Sequence, residues 1–326
     1  MRSVFLDTDT LGPDDIDLAP LTNQLPSLEC FPSTPDDRVA ERIATAEVVL
    51  VNKVRLSADH IAAAPNLKLI CLAATGTDNI DLDAAATAGI VVSNIRDYCA
   101  RSVVQHVFAL ILELTQRLND YRQAVRNGKW HDNSQFCLLD FPIRELDGKT
   151  MGIIGYGSLG TAVGQVAEAF GMRVLAARRP YDPDDTEPPH SSAGIERVGL
   201  GSLFMQSDIV SLHCPLNPDT TNLIDSDALN AMRNDAILIN TARGGLIDSA
   251  ALIAALQAGQ IAGAGIDVLR QEPPADPEPL VDTPLPNLIV TPHIAWAGRE
   301  SRQRAVDQMA ENIAGFQRGH PRNRVA

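Results

Sequence analysis

A chain of 326 residues is longer than most single domains, and 45% of it is hydrophobic, so we expect two domains with ample cores. The net charge of −14 argues against a nucleic-acid partner, because a surface that binds nucleic acid has to be basic. No apolar run approaches the length of a membrane span, and the N-terminus MRSVFLDTDTL lacks a basic region followed by an apolar one, so neither a membrane protein nor a signal peptide is expected.

The cysteines point to a reducing compartment. They are scattered, odd in number and without a C-x-x-C pair: Cys30, Cys71, Cys99, Cys137 and Cys214. This distribution favours the cytoplasm and gives no reason to expect a metal site.

The first part of the chain alternates short apolar runs with helical patterns, which predicts βαβ units and a parallel sheet. The expected strands lie near 3–7, 48–52, 67–72 and 90–93, and the expected helices near 57–64 and 81–88. A long amphipathic helix is expected to begin with Ser102 as its N-cap and to run past Arg117.

A second alternating series begins at Thr150. The expected strands lie near 150–155, 172–177, 208–213, 236–240, 263–268 and 288–291, and the expected helices near 159–169, 200–206, 227–232 and 249–258. Six parallel strands with intervening helices is the number found in a doubly wound sheet. Asp248 or Ser249 is the expected cap of the helix at 249–258, and one more helix is expected near 299–318. Two Pro- and Asp-rich stretches, 180–189 and 272–279, are expected to be surface loops.

A glycine-rich turn follows the first strand of this second series. Residues 152–160 read G-I-I-G-Y-G-S-L-G, so Gly155, Gly157 and Gly160 match G-x-G-x-x-G between a strand and a helix. Gly155 allows the tight turn, Gly157 lets a pyrophosphate approach the backbone, and Gly160 lets helix and strand pack closely. Together with Ser158 and Leu159 at the positive end of the helix, they predict a dinucleotide site rather than an ordinary βα turn.

The end of the next strand bears on which dinucleotide is bound. An NAD site usually has an acidic residue there for the ribose 2′-hydroxyl, whereas this chain has Arg178 followed by Arg179. Because arginine can bind a 2′-phosphate that a carboxylate would repel, we favour NADP. The alternative is that the arginines are solvated in a loop rich in aspartate, in which case NAD would serve comparably well.

Arg243 follows the apolar run A-I-L-I-N and precedes Gly244 and Gly245. The carboxyl end of a parallel strand is where ligands bind in open α/β sheets, and a planar guanidinium suits the carboxylate and carbonyl oxygens of a 2-keto acid. A solvated arginine at a strand end is the alternative.

Glu272 and His293 also follow apolar strands, in loops stiffened by prolines. A carboxylate bonded to one imidazole nitrogen orients the ring and raises its pKa, and the other nitrogen can then transfer a proton. With Arg243 these residues predict the catalytic set for reduction of a 2-keto acid.

Further polar residues lie at other strand ends. Asp267 is predicted either to bond the nicotinamide amide, to anchor Arg243 or to have a structural role. His213 is predicted to shape the nicotinamide pocket through its backbone, and Cys214, Pro215 and Thr241 are further predicted cofactor contacts. His106 is interpreted as a packed polar residue of the long helix.

A tight loop follows a strand in the first part of the chain. Thr75, Gly76 and Thr77 can present N–H groups to a small carboxylate, while Asp78 is the expected cap of the next helix.

These residues together resemble the D-isomer-specific 2-hydroxyacid dehydrogenases over essentially the whole chain. The matching segments are A-A-T-G-T-D-N at 73–79, V-V-Q-H-V-F-A-L at 103–110, the glycine turn, H-C-P-L-N at 213–217, T-A-R-G-G at 241–245, G-I-D-V at 265–268, Q-E-P-P at 271–274 and T-P-H-I-A at 291–295. Within the family, Q-F-C-L-L-D-F-P-I-R at 135–144 and H-I-A-W-A at 293–297 are similar to glycerate dehydrogenases, also called hydroxypyruvate reductases.

The resemblance implies an α/β protein of two doubly wound parallel-sheet domains. A Rossmann dinucleotide-binding domain, 99–295, would be inserted in a flavodoxin-like substrate domain made of 1–98 and 296–326. It also implies a homodimer, with the long helix at the interface. By residue match, Arg243, Glu272 and His293 would be catalytic, and Thr75 and Gly76 would bind the substrate carboxylate. Arg178 departs from the Asp of NAD-using relatives.

The sequence therefore predicts an NAD(P)H-dependent reductase of hydroxypyruvate or glyoxylate that forms the D-2-hydroxy acid. One alternative is a relative that acts on another acid, such as D-lactate. The other is a dinucleotide-sensing protein like the corepressors of this fold, which keep the same catalytic residues.

Overall fold

The chain divides into two compact units in a computed structural model. The structure describes residues 1–12, 14–179, 181, 190–192, 194–274 and 277–326. One unit is built from both ends, Met1–Cys99 and Trp296–Ala326, and the other is the central Ala100–Ala295. Apart from Tyr181, the expected loop at 180–189 lies outside the described residues, as do positions 275 and 276 of the second expected loop.

The strands and helices are numbered in chain order. The strands are β1 Ser3–Phe5, β2 Leu28–Cys30, β3 Val48–Val51, β4 Leu69–Leu72, β5 Val91–Ser93, β6 Thr150–Ile154, β7 Arg173–Ala177, β8 His190–Ser192, β9 Ile195–Val198, β10 Ile209–Leu212, β11 Ile237–Asn240, β12 Gly263–Ile266 and β13 Leu288–Val290. The α-helices are α1 Ala19–Gln24, α2 Asp36–Ile43, α3 Ala58–Ala62, α4 Leu82–Thr87, α5 Ala100–Gln116, α6 Leu118–Arg126, α7 Ser158–Ala169, α8 Leu200–Gln206, α9 Ser226–Ala231, α10 Ser249–Gln257, α11 Pro279–Asp282 and α12 Arg299–Gln317.

The unit built from both chain ends contains a five-stranded sheet. Its order is β2-β1-β3-β4-β5, and every pairing is parallel. β3 and β4 are fully buried, as expected for strands covered on both faces. Helix α12 adds Val306, Met309 and Ile313 to the core on one face of this sheet. The order is that of flavodoxin-like sheets, so this part of the predicted fold class is confirmed.

The central unit contains an eight-stranded sheet in the order β13-β12-β11-β10-β6-β7-β9-β8. Seven strands are parallel and β8 pairs antiparallel with β9 at one edge. β6 and β10 are neighbours, and the sheet grows outward from them in both directions, which defines the switch point of a doubly wound sheet. The predicted Rossmann-type architecture is therefore confirmed.

Several local predictions were wrong. The central sheet has seven parallel strands instead of six, because Ile195–Val198 forms β9, and β2 was also missed. Ser102 does not cap α5, which already begins at Ala100. Asp81, and not Asp78, caps α4 by accepting a hydrogen bond from the Ala84 N–H.

Two expectations about helices were met. Asp248 caps α10 by accepting from the N–H groups of Ala250 and Ala251, and the C-terminal helix forms as α12. All five cysteines are free thiols. Within the described ranges, no helix is long and apolar enough to cross a bilayer.

Candidate active site

The predicted site residues of the central unit follow the carboxyl ends of neighbouring parallel strands. The strand ends and the residues after them are β6 with Gly155, β7 with Arg178, β10 with His213, β11 with Arg243, β12 with Asp267 and β13 with His293. All of them therefore lie on the side of the sheet where the parallel strands end. Open α/β sheets bind their ligands on this side.

The glycine turn has the packing that its sequence predicts. Gly155 has φ +100°, and a Cβ there would lie 2.4 Å from the Cys214 nitrogen and the His213 carbonyl carbon. A Cβ on Gly160 would lie 2.2 Å from the Gly155 oxygen. By contrast, no described atom lies within 4 Å of a Cβ built on Gly157, the residue before α7. Protein packing thus explains two of the glycines, whereas the open space at Gly157 suits the close approach of a ligand.

The surrounding groups fit a dinucleotide. Among the described residues the buried Oγ1 of Thr241 has no hydrogen-bond partner, and buried polar atoms are normally satisfied. Helix α7, which includes Ser158 and Leu159 in its first turn, provides a positive N-terminus for phosphates. The described His, Cys, Asp and Glu side chains form no group that could bind a metal ion.

His213 and Cys214 follow β10 and support the glycine turn from the other side of the switch point. Burial lowers the pKa of His213 to about 4, and its Nε2 lies 2.9 Å from Ser211 Oγ. Burial also raises the pKa of the Cys214 thiol to about 11, so this thiol stays protonated. The Pro215 carbonyl accepts a 2.8 Å hydrogen bond from Thr220 Oγ1, which holds the start of the next loop.

The two arginines after β7 differ in exposure. Arg178 is 9% exposed, and its N–H donates to the Val198 oxygen at 2.8 Å, which extends the pairing with β9. Arg179 is exposed, and its Nε donates to Tyr181 Oη at 3.3 Å. Arg179 is therefore the more accessible cation at this strand end.

Glu272 and His293 are directly paired. Oε2 of Glu272 is hydrogen-bonded to Nδ1 of His293, and Oε1 accepts from the Leu269 N–H at 2.8 Å. About a third of each side chain is exposed, 33% for Glu272 and 31% for His293. The pair therefore combines a fixed orientation with access from solvent, as a proton-transfer group needs.

Asp267 anchors the loop that carries His293. Its buried Oδ1 accepts from Thr291 Oγ1 at 2.6 Å and from the Ile294 N–H at 2.9 Å, and Oδ2 accepts from the Ala295 N–H at 2.8 Å. Burial opposes ionisation of Asp267, but hydrogen bonds from His106, Thr291 and these N–H groups hold its pKa below the ordinary value. These contacts give Asp267 a structural role in holding this loop.

Arg243 is half-buried, and its Nη1 donates to the Ala242 carbonyl at 2.8 Å. The turn around it contacts the loop of Glu272, since a Cβ on Gly244 would lie 2.0 Å from the Leu269 carbonyl carbon. Gly244 thus allows two strand-end loops to touch, one with the arginine and one with the glutamate.

Thr75 and Gly76 belong to the other unit, in the loop after β4. Thr75 Oγ1 donates to the Ile95 oxygen at 2.8 Å, and the Thr75 carbonyl accepts from Asn94 Nδ2 at 2.8 Å. These bonds fix the loop, so the N–H groups predicted to bind a carboxylate have a defined arrangement.

Three supporting residues were not predicted as part of the site. Asn240, fully buried, donates to the Arg243 carbonyl at 2.9 Å and accepts from the Ala242 N–H at 3.0 Å, and so shapes the arginine turn. His106 and Thr291 contact Asp267. The only sequence signal for Asn240 was a polar residue at the end of an apolar strand.

Comparison with known proteins identifies the family and supports the fold. Residues 108–295 match the family model of the D-isomer specific 2-hydroxyacid dehydrogenase NAD binding domain. The chain is 47% identical to a glycerate dehydrogenase of Methylorubrum extorquens over 90% of this chain and 89% of that one. It is 38% identical to a hydroxypyruvate reductase of Blautia hydrogenotrophica, over 100% of this chain and 99% of the other. A crystal structure of a Thermus thermophilus protein superimposes with a TM-score of 0.86 at 32% identity, with full coverage of both chains.

The fold and site thus define an oxidoreductase with a nicotinamide-dinucleotide-binding domain. The chain belongs to the D-isomer specific 2-hydroxyacid dehydrogenase family.

Proposed function

We propose that this protein reduces a small 2-keto acid to the D-2-hydroxy acid with NAD(P)H, and that hydroxypyruvate and glyoxylate are its leading substrates. The observation that carries the proposal is the Glu272–His293 pair, held at the same sheet edge as Arg243. The similarity to a glycerate dehydrogenase and a hydroxypyruvate reductase supports the choice of hydroxypyruvate.

His293 is the proposed general acid. Its Nδ1 is bonded to Glu272, and Nε2 is the ring atom that we propose donates a proton to the substrate carbonyl oxygen. The Glu272 carboxylate stabilises the protonated ring before the transfer, and Leu269 fixes that carboxylate through its second oxygen. When bound, the nicotinamide supplies the hydride that the carbonyl carbon accepts.

Arg243 is proposed to bind the substrate carboxylate and to stabilise the charge that develops on the carbonyl oxygen. A guanidinium presents several N–H donors in one plane, which suits these neighbouring oxygens. The hydrogen bonds of Asn240 and the contact of Gly244 with Leu269 keep the arginine turn fixed. Thr75 and Gly76 are proposed to donate further N–H groups to the carboxylate.

The proposed cofactor is NADP in preference to NAD. Gly155, Gly157 and Gly160 with the first turn of α7 would hold the pyrophosphate. Arg178 and Arg179 stand after β7, where an acidic residue would repel a 2′-phosphate. Thr241, Cys214, Pro215 and Asp267 are kept as proposed contacts around the nicotinamide.

The test is turnover of purified protein with hydroxypyruvate, glyoxylate, pyruvate and bulkier 2-keto acids, each with NADPH and with NADH. We expect the highest kcat/KM for hydroxypyruvate or glyoxylate with NADPH. A higher value for pyruvate or a bulkier acid would replace the substrate and keep the reaction class. Cofactor binding without turnover of any acid would instead support the nucleotide-sensing role.

We also propose a cytoplasmic homodimer. Of the twelve exposed large hydrophobic side chains among the described residues, six lie within 118–143. They are Leu118, Val125, Trp130, Phe136, Leu139 and Ile143. Apolar side chains concentrated in one exposed segment are typical of a protein interface, and the five free thiols support a reducing compartment.

A further inference from the structure

Helix α5 lies against β12 in a regular register. A Cβ on Gly263 would lie 3.1 Å from Leu114, and a Cβ on Gly265 would lie 3.0 Å from Leu110. Four residues of helix advance about 6.0 Å and two residues of strand about 6.6 Å, so the next step pairs His106 with Asp267. The structure shows this pair, with His106 Nε2 3.4 Å from Asp267 Oδ1.

The hydrogen-bond directions at this point can be assigned from chemistry. The Thr291 hydroxyl has one proton, and it donates this proton to Asp267 Oδ1 at 2.6 Å. His106 Nε2 lies 3.0 Å from the same hydroxyl oxygen. Because the hydroxyl proton is already donated to Asp267, the Thr291 oxygen can only accept a hydrogen bond from His106. Nε2 of His106 must consequently carry a proton, which it donates to Thr291 while it lies 3.4 Å from Asp267 Oδ1.

The chain of contacts continues to His293. The Asp267 carboxylate accepts from the N–H groups of Ile294 and Ala295, and the Asp267 carbonyl accepts from the His293 N–H at 2.8 Å. Three consecutive N–H groups, from 293 to 295, are thus bonded to this one aspartate. A rotation of its carboxylate would release two of them.

We propose that His106 is a positioning residue for His293. Its Nε2–H, with the Thr291 hydroxyl, fixes the Asp267 carboxylate in the rotamer that bonds residues 294 and 295. The side chain is 17% exposed and is placed by the packing of α5 on Gly263 and Gly265. This role rests on the proposed function of His293 and assigns to His106 no contact with substrate or cofactor.

Two amide substitutions at position 106 distinguish the hydrogen-bond donor at Nε2 from the rest of the histidine side chain. The amide nitrogen of His106→Gln can occupy about the place of Nε2, whereas that of His106→Asn is shorter and corresponds to Nδ1. His106→Leu fills similar volume and donates nothing. His320→Leu, at an exposed histidine outside the site, is the control for the loss of a histidine.

The experiment measures kcat, the KM for the 2-keto acid, the KM for the cofactor, and thermal stability for these variants. We expect His106→Leu and His106→Asn to lose on the order of 10–100-fold in kcat with unchanged KM values, since small misplacements of catalytic groups have effects of this size. His106→Gln should recover most of the rate, and His320→Leu should match the wild type. An unchanged kcat in a folded His106→Leu protein, or equal losses in the Leu and Gln variants, would overturn the proposal.

A second readout does not depend on turnover. In protein with labelled histidine, the ring Cε1–H signal of His293 can be assigned by its loss in His293→Gln. We expect this signal to shift or broaden in His106→Leu and to return to its wild-type position in His106→Gln. An undisturbed signal in His106→Leu rejects the positioning role even if no 2-keto acid is a substrate. If the wild type turns over no 2-keto acid but the His293 signal shifts in His106→Leu, the proposed function is rejected and the positioning role is retained.

Discussion

His293 has a backbone conformation that histidine seldom adopts, with φ +55°. A left-handed residue other than glycine costs about 1–2 kcal/mol, so the surroundings have to hold it there. The bonds from the N–H groups of 293, 294 and 295 to Asp267 supply that restraint. Strain of this kind is found where a side chain must point in one direction for function.

This conformation separates stability from activity at position 293. Both His293→Ala and His293→Gly should lose about 10²–10⁴-fold in kcat, the usual effect of removing a general acid. The Gly variant should be more stable than the Ala variant by about 1 kcal/mol, because glycine tolerates positive φ. Urea unfolding and steady-state kinetics measure the two effects. Near-normal turnover in either variant would exclude His293 from the mechanism.

The arginines after β7 lead to a prediction about the choice between NADPH and NADH. Arg179→Ala should lower the ratio of kcat/KM for NADPH over NADH by about 10–100-fold, since a hydrogen bond to a charged group contributes roughly 1.5–3 kcal/mol. Arg178→Ala should act in the same direction, with an added loss of stability because this residue is buried. Steady-state kinetics with both cofactors measure the ratio. Equal effects on NADPH and NADH would mean that the arginines do not read the 2′-phosphate.

His213 makes the folded state sensitive to acid. Its pKa falls from 6.5 to about 4 on burial, so the unfolded chain binds a proton here more readily than the folded chain. Stability from this group is complete above pH 6.5 and is lost as the pH falls toward 4, by up to about 3 kcal/mol. His213→Asn should therefore flatten the fall in unfolding free energy across this pH range. A wild-type slope in that variant would contradict the assignment, and His320→Asn is the control.

At the scale of elements, the glycine turn separates packing from ligand approach. Gly160→Ala should destabilise the fold, because a Cβ meets the Gly155 oxygen at 2.2 Å. Gly157→Ala should keep the melting temperature, since no described atom lies within 4 Å of a Cβ built at this position. It should weaken cofactor binding at least tenfold, because the added methyl group would occupy the space that the pyrophosphate approaches. Calorimetry and fluorescence titration with NADPH test the pair. Wild-type cofactor affinity in Gly157→Ala would show that the open space does not admit the pyrophosphate.

The predictable elements were those with long apolar runs. β3, β6 and β11 are buried throughout, so their sequences alternate little and contrast with the polar segments around them. β2 has only three residues and is largely exposed, and β9 has two charged residues, Glu196 and Arg197, between apolar ends. Neither pattern distinguishes a strand from a loop before its neighbours in the sheet are known.

The same distinction applies to the candidate site. Gly155, Arg243, Glu272 and His293 could be predicted because each follows a recognisable strand in a turn rich in glycine or proline. The contact of His106 with Asp267 could not, because it depends on how α5 lies along β12. The spacing of His106, Leu110 and Leu114 places them on one helix face but does not reveal the strand beneath.

At the scale of the whole molecule, the exposed apolar side chains of 118–143 lead to a prediction about assembly. Sedimentation should give a dimer for the wild type, and the double change Phe136→Asp and Leu139→Asp should shift it to monomer at micromolar concentration. These side chains are 91% and 77% exposed, so the change should not disturb the core. A wild-type monomer would reject the proposed dimer, while a variant that stays dimeric would place the interface elsewhere.

The central unit interrupts the other unit, and this affects the order in which the two can fold. The core beneath β4 includes Val306, Met309 and Ile313 of α12, and Val92 N–H donates to the oxygen of Ala326. None of these groups exists until about 200 further residues have been synthesised, which takes on the order of 10–40 s at typical ribosome speeds. The central unit is completely synthesised before α12 and can fold at that point. Residues 1–99 meanwhile keep exposed the apolar surface that α12 later covers. The demand on chaperones in the cell should therefore fall mainly on the N-terminal segment.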